Sequence, residues 1–169
     1  MIVFEDGIEA LVNQIPLIDG FKPNFHWGDQ SELTRYIALK PQPYPIVWLV
    51  SGSEEQDLKG RTEAHRNCKF ILATRNLEES ELNDVRLRGS FDTVLIPLAK
   101  RLVEGLTKFS ITSIDDQKFT LTKFPHYAER VNTRSKEVNK TIDFWDAVTI
   151  DCSITMNTNC QNTIQWQTS

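Results

Sequence analysis

The sequence predicts an α+β domain, a mostly antiparallel sheet with two main amphipathic helices packed on one face. Three observations predict it. Apolar residues recur at helical spacing near the start of the chain (Phe4, Ile8, Leu11, Val12, Ile15) and again in its middle (Phe91, Val94, Leu95, Leu98, Leu102, Val103, Leu106). From Val148 to Met156 the pattern has period two, with Val148, Ile150, Cys152, Ile154 and Met156 on one side and Thr149, Asp151, Ser153 and Thr155 on the other. The run Tyr44-Pro45-Ile46-Val47-Trp48-Leu49-Val50 is β-branched, aromatic and bounded by turn residues, as a buried strand is. The order helix, strands, helix, strands favours α+β. A length of 169 residues fits one domain, read as residues 1–156. Residues 157–169 form a polar Asn/Gln/Thr-rich tail in which Ile164 and Trp166 are the only candidate core residues.

Each element has its own signal. Glu5 and Asp6 suit the positive end of the first helix dipole, and Pro16 ends that helix. Phe21, Phe25 and Trp27 alternate and predict a short strand; Leu33 to Leu39 predicts another, ending before Pro41. Ser51 to Glu63 is polar and charged with two glycines, the composition of an exposed, mobile loop. Cys68, Phe70 and Leu72 alternate with Lys69, Ile71 and Ala73, which predicts a strand with one buried face and one partly covered face. Ser80 to Asp84 reads as a helix start. Pro97 falls inside the stripe of the main helix, where it removes a hydrogen bond, so the sequence predicts a bend there or a helix start displaced toward it. Phe119, Leu121 and Lys123 alternate with Thr120, Thr122 and Phe124 after an Asp115-Asp116 turn, a further strand.

Composition narrows the function classes. Lys plus Arg total 19 against 23 Asp plus Glu, a formal charge of −4. Nucleic-acid binders usually carry a basic surplus that releases counterions from phosphates, and this chain carries the reverse. Three cysteines, Cys68, Cys152 and Cys160, are too few and too widely spaced for a disulfide framework and read as free thiols in a reducing compartment. Met1 to Asp6 has neither a basic nor an apolar signal-peptide region. The run from Ile46 to Val50 is far short of the ~20 apolar residues that span a bilayer. The expectation is a soluble cytosolic protein without a membrane partner.

The residues that carry chemistry do not converge. His26, His65 and His126 lie far apart without the close pairs that zinc sites show, so no metal is expected. His65 and Cys68 suggest a nucleophilic pair, but on a regular strand residues three apart face opposite sides. Cys152 groups with Ile150 and Ile154 as a small core residue. The carboxylate clusters Glu54-Glu55, Glu78-Glu79-Glu81 and Asp115-Asp116 fall in loops or helix starts, where solvent denies a general acid its raised pKa. The glycines are dispersed and form no phosphate loop. Arg130, Arg134, Lys136 and Lys140 make the best nucleic-acid candidate, yet Glu137 interrupts them and the aromatic neighbours Tyr127 and Phe144 lie outside the segment. Trp27, Trp48 and Trp145 read as core or interface packing. No catalytic residue, cofactor or metal is assigned, and the chain reads as an assembly component rather than an enzyme.

In the order of its local patterns the chain resembles the tail terminator, or tail completion, proteins of long-tailed bacteriophages. The patterns are the first amphipathic helix, the Gly28-Asp29-Gln30-Ser31-Glu32-Leu33 stretch and the Tyr44-Pro45-Ile46-Val47-Trp48-Leu49 strand with the polar loop after it. They continue with a strand from Asn67 to Thr74, the long helix carrying Val94-Leu95-Ile96-Pro97-Leu98, and the closing Phe144-Trp145-Asp146-Ala147-Val148-Thr149-Ile150 strand. The resemblance spans roughly Phe4 to Met156. It implies an α/β sandwich protomer with helices on one face of a sheet. It also implies a homo-oligomeric ring, typically a hexamer, that caps the tail tube, ends tube polymerisation and offers the head a docking surface. Partners would then be the tail tube protein and a head–tail connector or neck protein, nucleic acid would only pass through the lumen, and the protein would reside in the virion after assembly in host cytoplasm. The insert from Phe124 to Asp143 and the polar tail depart from that pattern. Three other readings are a head–tail connector or neck protein, a small enzyme acting on nucleotides or nucleic acid, and an adaptor domain that binds a peptide along its sheet edge.

Overall fold

Two long antiparallel strands, β4 (Thr62–Arg75) and β7 (Trp145–Asn157), form the spine of a mixed sheet. The structure is a computed structural model and describes residues 3–39, 44–50, 52–56, 62–75, 83–109, 112–114, 118–125 and 145–157. On one side of β4 run β2 (Ile46–Val50) and β3 (Ser53–Gln56), both antiparallel to it. The short strand β1 (Asn24–Trp27) lies outside β2 and parallel to it. On the far side of β7 run β5 (Thr112–Ile114) and β6 (Thr120–Phe124), both antiparallel to β7. The α+β class and the mostly antiparallel sheet are as the sequence predicts; the β1–β2 pair is the parallel exception.

Helices cover both faces. On the first face lies α1 (Phe4–Val12), whose Phe4, Ile8, Leu11 and Val12 are buried, with Glu5 and Asp6 in its first turn. Beside it run α3 (Asn83–Arg86), a π-helical segment (Leu87–Leu95) and α4 (Ile96–Lys108). They pack on the inward sides of β2, β4 and β7, including Val47, Leu49, Phe70, Leu72, Val148 and Ile150. Complete burial of each such side chain contributes roughly 1.5–3 kcal/mol.

Pro97 explains the change of helix type. It has no N–H, and its ring would press on the carbonyl four residues back. Ile96 N–H instead bonds the Phe91 carbonyl five residues back, and α4 starts with Pro97 in its first turn. The displaced start is therefore observed, with a π-helical segment ahead of it. The stripe Phe91, Leu95, Leu98, Leu102 and Leu106 is buried.

The second face corrects the sequence reading. The segment from Leu33 to Leu39, expected as a strand, belongs to α2 (Gln30–Leu39). The apolar residues that matter are Leu33 and Ile37, one helical turn apart and both buried against Ile46, Trp48, Ile71, Ala73, Trp145 and Ala147. The helix start is a capping box: Asp29 stands at the N-cap, and the Glu32 carboxylate accepts the Asp29 N–H at 3.0 Å. Gly28, at φ +150°, makes the turn, and its carbonyl accepts the Trp48 indole N–H at 3.1 Å. A side chain on Gly28 would collide with the Glu32 carboxylate and crowd the Trp48 ring. Because α2 covers this face, Ile71 and Ala73 are fully buried rather than partly covered, and helices are not confined to one face.

The loop expected from Ser51 to Glu63 is also corrected, because it contains β3 and the start of β4, paired from Ser53↔Arg66 to Gln56↔Glu63. β5 had no signal in the sequence. Residues 76–82, 115–117, 126–144 and 158–169, which include the whole basic segment, most of the insert and the tail, lie outside the described residues. Among the described residues no helix is long and apolar enough to cross a membrane.

Candidate functional site

The most irregular point of the sheet is a β-bulge in β4. His65 pairs with Ile154 and Cys68 with Cys152, so Arg66 and Asn67 together stand opposite the single residue Ser153. Asn67 takes the left-handed conformation at φ 57°, and its N–H donates to the Ser153 hydroxyl at 3.2 Å. The inserted residue shifts the alternation. His65 and Cys68, expected on opposite sides, both lie on the first face, because their partners Ile154 and Cys152 do.

The shared face does not make a nucleophilic pair. The Cys68 thiol bonds the His65 carbonyl at 3.5 Å and not its ring. The imidazole stacks on Phe4 at 3.6 Å between centroids and 11° between planes. Both of its nitrogens are buried without a hydrogen-bond partner, and the nearest Glu63 carboxylate oxygen is 3.7 Å away. Burial raises the Cys68 thiol pKa, an effect that a backbone hydrogen bond from Gly52 partly offsets. Burial, with Cys68 alongside, pushes Cys152 up to about 12. Neither thiol is poised as a thiolate nucleophile.

The bulge also borders an open cleft of about 580 Å³ lined by Arg66, Asn67, Lys118, Thr120, Asp151, Cys152 and Ser153. Asp151 there pairs with Lys69 at 3.8 Å, both partly exposed. A second polar feature is internal. Arg86 of α3 and Asp146 of β7 form an ion pair at 3.3 Å with both side chains essentially fully buried. It joins α3 to the start of the closing strand β7.

The remaining sequence candidates are dispersed. His26 stacks on Tyr36 at 4.4 Å and meets Trp48 edge-on, outside the bulge. Trp48 and Trp145 are core residues, while Trp27 is 51% exposed. Glu54 and Glu55 lie in β3. Glu78, Glu79, Glu81, Asp115, Asp116, His126, Arg130, Arg134, Lys136, Lys140 and Cys160 lie outside the described residues. Among the described residues no three His, Cys, Asp or Glu side chains are grouped to hold a metal.

The feature that sequence reasoning missed is the pair of lateral edges. In β1, Asn24, His26 and Trp27 are exposed and Phe25 is half-buried; in β6, Thr120 to Lys123 are exposed and Phe124 is half-buried. A strand with one face on a core alternates between buried and exposed. Most side chains of these two strands are exposed, although Phe25 packs against the first core, His26 stacks on Tyr36 of α2 and Phe124 packs against the second core. Exposed Phe21 and Trp27 lie at the β1 side and exposed Leu121 on β6. The only sequence signal for this was the weak apolar content of the two strands. No protein-family model matches the chain, and no curated protein matches it.

Proposed function

We propose that this chain is a non-enzymatic structural subunit of a bacteriophage virion. It assembles into a ring, a hexamer in the tail terminator family it resembles, that caps the tail tube, ends its polymerisation and gives the head a docking surface. The observation that carries the reading is that, among the described residues, no strand lies outside β1 or β6. The centre of the sheet is closed on both faces, while an edge strand at each side offers backbone and apolar groups to neighbours. A contact that joins unlike surfaces of identical subunits generates a ring whenever the rotation closes. The capping role itself rests on the resemblance in element order. Among the described residues, the separate placement of His26 and His65 and the buried thiols of Cys68 and Cys152 support a role without catalysis.

The test has two parts. Electron microscopy of the purified full chain is expected to reveal closed rings. Added to polymerising tail tube protein, the chain is expected to shorten tubes in proportion to its concentration and to sit at tube ends. A protein that stays monomeric at high concentration and leaves tube length unchanged would sink the proposal.

A further inference from the structure

We infer that the edge of β1 in one copy pairs antiparallel with the edge of β6 in the next copy, so that the sheet runs on from subunit to subunit. This rests on the ring reading and names the surface that builds the ring.

Backbone geometry supplies the first argument. The N–H groups of Asn24 and Gly28 donate to the carbonyls of Pro45 and Leu49, toward β2. Backbone polar groups alternate in direction along a strand, so the N–H and C=O of Phe25 and Trp27 point to the outer side. Among the described residues no strand lies there. An open row of this kind is a template for another strand.

Strand direction supplies the second. β2 runs with β1, and three antiparallel steps, β2 to β4, β4 to β7 and β7 to β6, leave β6 opposed to β1. Rotation about an axis along the strands preserves those directions. The neighbour's β6 therefore meets β1 antiparallel, and each copy contributes its β1 edge to one neighbour and its β6 edge to the other.

Side chains supply the third. Antiparallel pairing sets the end of β1 against the start of β6. Exposed Asp29 follows β1, and exposed Lys118 precedes β6, so opposite charges meet. Trp27 and Leu121, 51% and 43% exposed, would cover one another along the same seam. Of the cations at the other end, Lys22 is held by the Asn13 and Ile15 carbonyls at 2.6 and 2.8 Å, and Lys123 lies over the Phe91 ring at 5.7 Å.

A charge swap tests the pairing. Asp29→Lys and Lys118→Asp are each expected to weaken ring formation at least about tenfold, since like charges then face one another. The double variant is expected to restore it to within a few-fold, read by mass photometry and electron microscopy. Circular dichroism confirms that each variant folds. A photo-crosslinking side chain in place of Trp27 is expected to capture a peptide containing Thr120–Phe124. Rings that tolerate both single changes, or a double variant that fails to recover, overturn the β1–β6 interface while the ring reading stands. Capture of a peptide from the tail tube protein instead also overturns it. A native chain that never forms rings overturns both.

Discussion

Cys68 and Cys152 stand directly opposite one another across β4 and β7, both on the first face and both buried as free thiols. Desolvation keeps them neutral, and the thiolate is the reactive form. Iodoacetamide at pH 8 is therefore expected to leave both unlabelled in the native protein and to label both after unfolding, as read by peptide mass. Fast native labelling of either would contradict the buried pairing.

The same pair sets an alkaline limit on stability. Cys152 is raised from 9.0 to about 12, and Cys68 is raised too. Below pH 9 the thiols are neutral folded and unfolded, and the stabilisation is fully present. As pH rises from 9 toward 12, the unfolded chain releases protons that the folded chain retains, so stability falls. Cys152 removes up to about 1.4 kcal/mol per pH unit in that window, and Cys68 acts in the same direction. Urea midpoints measured across it check the slope, and Cys152→Ala is expected to flatten it.

Gly52 sits against the bulge, where an added Cβ would overlap the carbonyl oxygen of Arg66. That neighbour is backbone and cannot swing aside. Gly52→Ala is expected to lower stability by about 2–3 kcal/mol. Gly89→Ala, at a position with nothing within 4 Å, is expected to be neutral or stabilising by up to about 1 kcal/mol. Denaturant curves of both variants decide whether close approach is the cause.

Removing the Asp146 carboxylate takes a buried ionic partner away from the Arg86 guanidinium. Asp146→Ala is expected to cost about 3–5 kcal/mol, and half-molar NaCl is expected to change the native stability little, because solvent does not reach the pair. A variant that unfolds at the native temperature would contradict this.

His65 gives the opposite expectation. Its ring is stacked and buried, yet neither nitrogen has a partner. His65→Phe preserves the stack and removes two desolvated polar atoms, so stability is expected to rise by about 1 kcal/mol. If the variant folds but loses assembly, His65 has a binding role that packing does not explain.

The legible parts of the fold were those where a local period reports burial. Met156 to Val148 alternates because one side faces the first core, and Phe91 to Leu106 repeats at helical spacing because a helix lies across it. Leu33 to Leu39 misled because its apolar content is thin. The decisive signal was the Asp29–Glu32 capping box followed by Leu33 and Ile37 one turn apart. The bulge escaped because an inserted residue is visible only against its partner strand. Asn67, a residue type that tolerates the left-handed conformation, was its one local trace. The candidate interface was least legible, since an edge is defined by what does not lie beside it.

The spine of the sheet also fixes when this subunit becomes whole. β4 spans Thr62–Arg75, but its inner partner is Trp145–Asn157, so the chain must be synthesised through the latter before the central ladder can close. Until then the nascent chain carries a long strand whose Phe70–Ala73 stretch is apolar and whose one side is unsatisfied, the kind of segment on which aggregation starts. Chaperone protection during translation thus matters most between the emergence of residue 75 and that of residue 157. A fully paired sheet exists only after that interval, a delay that separates folding of the spine from translation of its first strand.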